Sequence, residues 1–152
     1  MGKGLENQEF KECLLKGRIK KFSPAVKLVT KEWKSSQEDL ETAQASFRSK
    51  NFKWAIIQAY YSMFHAARAL IYSKGYRERS HYCLIVALRT FFVEERLLDV
   101  SLVEAIQTAK VLRENADYEN EFSKESAQSL LDKANKLLCR SKEILALSRM
   151  GK

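Results

Sequence analysis

Residues 55–72, Ala-Ile-Ile-Gln-Ala-Tyr-Tyr-Ser-Met-Phe-His-Ala-Ala-Arg-Ala-Leu-Ile-Tyr, read as one helix with three different surfaces. No other stretch restricts the fold so tightly. At 3.6 residues per turn, Ile56, Tyr60, Met63, Phe64, Ala67, Leu70 and Ile71 share a broad apolar sector. Ala55, Ala59, Ala66 and Ser73 form a neighbouring stripe of small side chains, along which a second backbone can come close. Gln58, Tyr61, His65, Arg68 and Tyr72 fill the remaining sector. A helix this apolar belongs inside a fold, and polar groups carried there need partners. The polar row is therefore either a hydrogen-bonded network or part of a site.

The rest of the chain reads as helix too. There are only one proline and five glycines in 152 residues, and no clear alternating run bounded by turn residues. The fold class is all-α. A short helix is expected from about Asn7 to Leu15. Ser23 as N-cap and Pro24 at the first helical position predict a long helix to about Arg48, with Val26, Val29, Trp33, Leu40, Ala43 and Phe47 inward. The next helix runs from Phe52 to Ser73 and stops at Gly75. Ser80 caps a third, ending between Glu95 and Leu98. Ser101 and Glu104 fit a capping box opening a fourth, with Leu102, Ile106, Ala109, Arg113 and Ala116 on one face. An acidic loop over 117–121 leads to a last helix near Ser123. Short connections between amphipathic helices make an antiparallel up-and-down bundle, a four-helix core plus an extra helix. One domain over residues 23–148 follows a basic segment over 1–22.

The net charge of +8 is unevenly spread. Residues 1–34 carry +5, residues 136–152 carry +4, and the body between them carries −1. Basic ends can attract a polyanion or an acidic protein, although solvated termini are the plainer reading. Cys13, Cys83 and Cys139 are odd in number and widely spaced, which suits reduced thiols in a cytoplasmic protein. No apolar run reaches the roughly 18 residues that a membrane span needs. With only His65 and His81 and no ligand spacing, no metal and no other cofactor is expected.

Three groups of polar residues invite a functional reading. His65 can act as acid, base or phosphate donor, or simply serve as a core histidine. Arg113 and Asp117, spaced i, i+4, continue an apolar row and form either a desolvated ion pair or the mouth of a groove, with Tyr118 immediately after. Arg77, Arg79, Ser80 and His81 sit at a helix start, where an anion seat and a plain cap are both compatible with the residues. No GxSxG elbow and no phosphate-cradling glycine motif is present.

The string Gln-Ala-Tyr-Tyr-Ser-Met-Phe-His-Ala-Ala-Arg-Ala-Leu, residues 58–70, closely resembles the second-helix signature of HEPN domains. The likeness extends to Gly75, Ser80-His81 and Arg113-Glu114-Asn115-Ala116-Asp117-Tyr118, and covers roughly residues 30–147. It is nearest in character to the stand-alone prokaryotic branch found beside minimal nucleotidyltransferases. The resemblance implies a helical bundle, commonly dimeric, with the functional groove at the dimer interface. It also implies a separate nucleotidyltransferase partner, binding of a nucleotide or RNA, and a role like that of a toxin–antitoxin component.

Many HEPN members are metal-independent ribonucleases marked by Arg, four to six residues, then His. Here Arg113 matches, but Tyr118 stands where the histidine is due, and no histidine follows. Metal-free RNA cleavage needs a proton acceptor for the 2′-OH, and a tyrosine hydroxyl, ordinarily titrating near about 10, is a poor one. The resemblance therefore implies a degenerate nuclease motif, with an active endoribonuclease toxin as the alternative. Arg113, Tyr118 and His65 are the candidate catalytic residues, His65 as a replacement imidazole and Tyr118 as a phosphate, base or adenylylation contact. Tyr61, Arg68, Ser80, His81 and Asp117 are the candidate nucleotide or phosphate contacts.

Overall fold

The computed structural model describes the backbone of residues 2–150 and the side chains of residues 8–147. The basic charge counted at the two ends therefore lies partly outside the described residues. The elements run α1 (Gly2–Leu15), β1 (Ile19–Lys21), a 3-10 turn (Ala25–Leu28), α2 (Val29–Arg48), α3 (Phe52–Ser73), β2 (Tyr76–Glu78), α4 (His81–Leu88), a π-helical turn (Arg89–Val93), α5 (Val100–Tyr118) and α6 (Lys124–Met150). The chain is all-α, apart from one small ribbon.

The helix at 55–72 becomes α3, the axis of the molecule, packed by α2, α5 and α6. Its small-residue stripe meets α2. Ala55, Ala59, Ala66 and Ala69 are fully enclosed there, and buried Ser62 on the same stripe donates to the Ser36 carbonyl at 2.7 Å. Large side chains at these positions would hold α2 away. Its apolar sector, with Ile56, Met63, Leu70 and Ile71, joins Leu84, Leu88, Phe92, Ile106, Leu130 and Leu137 in one continuous core.

Local signals place most boundaries. Ser80 caps α4 by accepting from the Cys83 N–H at 3.1 Å. Gly75 has φ of +81°, a left-handed conformation open to glycine without strain, and so ends α3. Other expectations are corrected. Ser23 makes no cap: Pro24 precedes a 3-10 turn, and α2 starts at Val29 with no side-chain cap bond. The fourth predicted helix opens at Val100 with Asp99 as its cap, accepting from the Ser101 N–H at 2.8 Å. It also runs on through Asp117 and Tyr118, which are helical and not loop. The third predicted helix gives way to the π-helical turn after Leu88.

The ribbon was not legible in the sequence. β1 and β2 pair antiparallel, Ile19 opposite Glu78, Lys20 opposite Arg77 and Lys21 opposite Tyr76. Each strand is three residues long, too short for an alternating pattern to register. The ribbon sits beside α1, whose Phe10 packs edge-on against Tyr76 and Phe91. Cys13 of α1 and Cys83 of α4 form a disulfide with Cα atoms 5.9 Å apart, leaving Cys139 as the free cysteine. The expectation of reduced thiols is thus corrected for that pair. Among the described residues, no helix is long and apolar enough to cross a membrane.

Candidate functional site

The polar row of α3 lies in the gap between α2 and α5, and the structure divides it between those two neighbours. On the α5 side, Arg113 donates to the Tyr61 hydroxyl at 3.1 Å and pairs with Asp117 at 3.3 Å. Its guanidinium also lies over the rings of Tyr118, Tyr61 and Tyr60, at 5.4, 5.6 and 6.0 Å. Because α5 continues to Tyr118, Asp117 lies one turn after Arg113 on the same face, and Tyr118 follows round the helix with its ring still within reach of the guanidinium. The buried Arg113 Nε meets no acceptor among the described protein groups. Tyr118 is 67% exposed, so an aromatic face stands in solvent beside an arginine fork. That combination suits a phosphate next to a stacked base.

On the α2 side, His65 Nδ1–H donates to Glu32 at 2.8 Å, with Asp39 at 3.7 Å from Nε2. Arg68 bridges Glu32 at 3.2 Å and Glu78 at 3.1 Å, and its guanidinium covers Phe64 and Tyr72. Burial alone would raise the Glu32 carboxyl. The His65 hydrogen bond and the charges of His65 and Arg68 outweigh it and hold Glu32 below the usual carboxylate range. Glu78 goes the other way, because its deeper burial outweighs Arg68 and pushes its carboxyl up. This is a clamp joining α2, α3 and β2, in which His65 and Arg68 hold Glu32 and Glu78 in place.

The candidate residues therefore separate into three places. Tyr61, Arg113, Asp117 and Tyr118 come together. His65 does not join them; its ring faces α2. Ser80, His81 and Arg68 line a third place, an open cleft of about 570 Å³ that also includes Phe64, Arg77, Glu78 and Arg79. The Ser80 hydroxyl is engaged in its cap, whereas neither buried ring nitrogen of His81 has a partner among the described protein groups. Burial, with Lys110 nearby and partly opposed by Glu114, pushes the His81 imidazole down. The sequence reading passed over Glu32 and Glu78. Glu32 shares spacing with Ser36, Leu40 and Ala43, all buried on α2, and that acid within an inward row was the signal available.

Fold and site together define a helical-bundle protein with an arginine–tyrosine centre on its central pair of helices. The HEPN domain model matches residues 30–145, and the chain belongs to the HEPN domain family. Among curated proteins it is similar to two from Methanocaldococcus jannaschii. "Putative toxin MJ0142" is 33% identical over 72% of this chain and 76% of its own length. "Putative toxin MJ0605" is 30% identical over 72% of this chain and 83% of its own length. "UPF0332 protein PH1297" of Pyrococcus horikoshii is 35% identical over 47% of this chain and 50% of its own.

Proposed function

We propose that the protein is a toxin-like HEPN subunit of a two-protein cytoplasmic system, whose Arg113 centre binds RNA or a nucleotide without cleaving it by an imidazole route. The carrying observation is the company Arg113 keeps: three tyrosine rings and one carboxylate, with no histidine. His65, the replacement imidazole, is held by Glu32 on the α2 side of the polar row. The names of the Methanocaldococcus relatives support the toxin-like part of the reading. A separate nucleotidyltransferase is the proposed partner, with Tyr118 as its exposed contact or acceptor. Homodimerisation over this face is part of the proposal, since Val111, Tyr118 and Phe122 are all exposed on α5 or just beyond it.

The test is to incubate purified protein with RNA in the absence of metal, comparing wild type with Arg113→Ala, and to measure RNA binding in parallel. Binding that falls at least tenfold in the variant, with no cleavage by either protein, is the expected outcome. Metal-free cleavage that Arg113→Ala abolishes would overturn it in favour of the active-toxin reading. That second reading draws on one observation, the unpartnered imidazole of His81 lying within electrostatic reach of Lys110 and Glu114, which flank Arg113 on α5. Co-purification and sedimentation with a nucleotidyltransferase encoded beside the protein test the partner.

A further inference from the structure

The β1–β2 ribbon gathers charge that the sequence scatters. Directly opposed residues of an antiparallel pair share a face, so Lys20 and Arg77 stand together on the outer face while Ile19 and Glu78 face inward. The register continues one step further, with the Arg79 N–H donating to the Arg18 carbonyl at 2.7 Å, which brings Arg18 and Arg79 to that same outer face. All four side chains are exposed. Among the described residues, none of the four lies within ion-pair distance of a carboxylate. Like charges directly opposed on a two-stranded ribbon weaken it, and a bound anion would relieve that cost.

The cleft beside this face holds the rest of a binding site. Arg77 and Arg79 border it, Phe64 supplies an apolar wall, and Glu78 is committed to Arg68 and does not offer a competing free carboxylate. His81 lines the same cleft with both ring nitrogens buried and unpartnered. A phosphate oxygen is the complement of these guanidinium forks, with the enclosed His81 ring beside them in the cleft wall. The geometry points to this cleft and ribbon as a seat for the phosphate group of a nucleotide, either free or at the 5′ end of an RNA. It rests on the nucleotide-binding reading above only for the nature of the ligand, and its residues are distinct from the Arg113 centre.

The experiment is calorimetric titration of the full chain with AMP, ATP, and a short RNA carrying either a 5′-phosphate or a 5′-hydroxyl. It is repeated on Arg77→Ala/Arg79→Ala, on Lys20→Ala and on Arg113→Ala. Exposed Lys20 is the variant least able to disturb folding. The 5′-phosphate preference of the RNA identifies one source of the phosphate, and AMP or ATP binding identifies the other. At least a tenfold loss of affinity in the double arginine variant, a smaller loss in Lys20→Ala, and a ligand-dependent shift of the His81 ring resonances are expected. Affinities within twofold of wild type, an unmoved His81, or wild type that binds none of the probes at millimolar concentration would overturn it. If only Arg113→Ala abolishes binding, this seat fails while the Arg113 reading stands. If the ribbon variants alone abolish it, the reverse holds.

Discussion

Replacing Glu32 by glutamine tests whether the α2 side of the polar row is a clamp or a reactive site. The carboxylate receives the His65 N–H at 2.8 Å and the Arg68 guanidinium at 3.2 Å, with its side chain only 12% exposed. Hydrogen bonds to charged groups contribute about 1.5–3 kcal/mol each, net of the water they displace. Glutamine keeps the shape and one acceptor but faces two donors with no charge, so the expected loss is about 2–3 kcal/mol. For a chain of 152 residues that is a fall in Tm of about 5–10 °C, at about 2–4 °C per kcal/mol. Urea unfolding followed by circular dichroism measures it. Because the folded-state pKa of Glu32 is depressed, its contribution is complete above the unfolded carboxyl value of about 4.3 and disappears as pH falls through the folded value. The gap between wild type and Glu32→Gln should therefore be widest at pH 7 and narrow below about pH 4.5. Glu78→Gln gives the opposite trend: its folded pKa is raised, so the wild type gains on that variant as pH falls. A Glu32→Gln cost below about 0.5 kcal/mol at pH 7, against the 1.5 expected of even one such bond, or a gap that ignores pH, would refute the clamp and return His65 to the candidates for chemistry.

Other outcomes are as specific. Ser80→Ala should cost about 1 kcal/mol through its lost cap; Asp99→Ala should destabilise and Ser101→Ala should not, since Asp99 holds the cap of α5. Thermal melts of the three variants check this. Ser62→Leu forces a large side chain between α2 and α3, where the Ser62 hydroxyl lies 2.7 Å from the Ser36 carbonyl. Its expected cost of at least about 1–3 kcal/mol would show in the urea midpoint. Alkylation of the native protein followed by intact mass should label one cysteine, Cys139, and three after reduction and unfolding. Breaking the Cys13–Cys83 bridge, which spans 70 residues, should cost up to about 4 kcal/mol in the chain-entropy account.

The sequence by itself determined the fold class and the central helix, because a 3.6-residue period is a local property that survives without knowledge of neighbours. The three surfaces of α3, the Gly75 stop and the Ser80 cap all follow from residues within a turn or two of one another. So does the i, i+4 placing of Arg113 and Asp117. What surrounds each polar group is not local. Tyr61 and His65 lie one turn apart on α3, yet one turns to Arg113 on α5 and the other to Glu32 on α2. The row looks continuous on a helical wheel and is cut in two only when helices pack on either side of it. The basic residues of the N-terminal segment tell the same story: Lys20 and Arg77 are far apart in the chain and gain meaning only where β1 lies against β2. Periodicity sorts residues into faces, and tertiary packing alone decides which face each one meets.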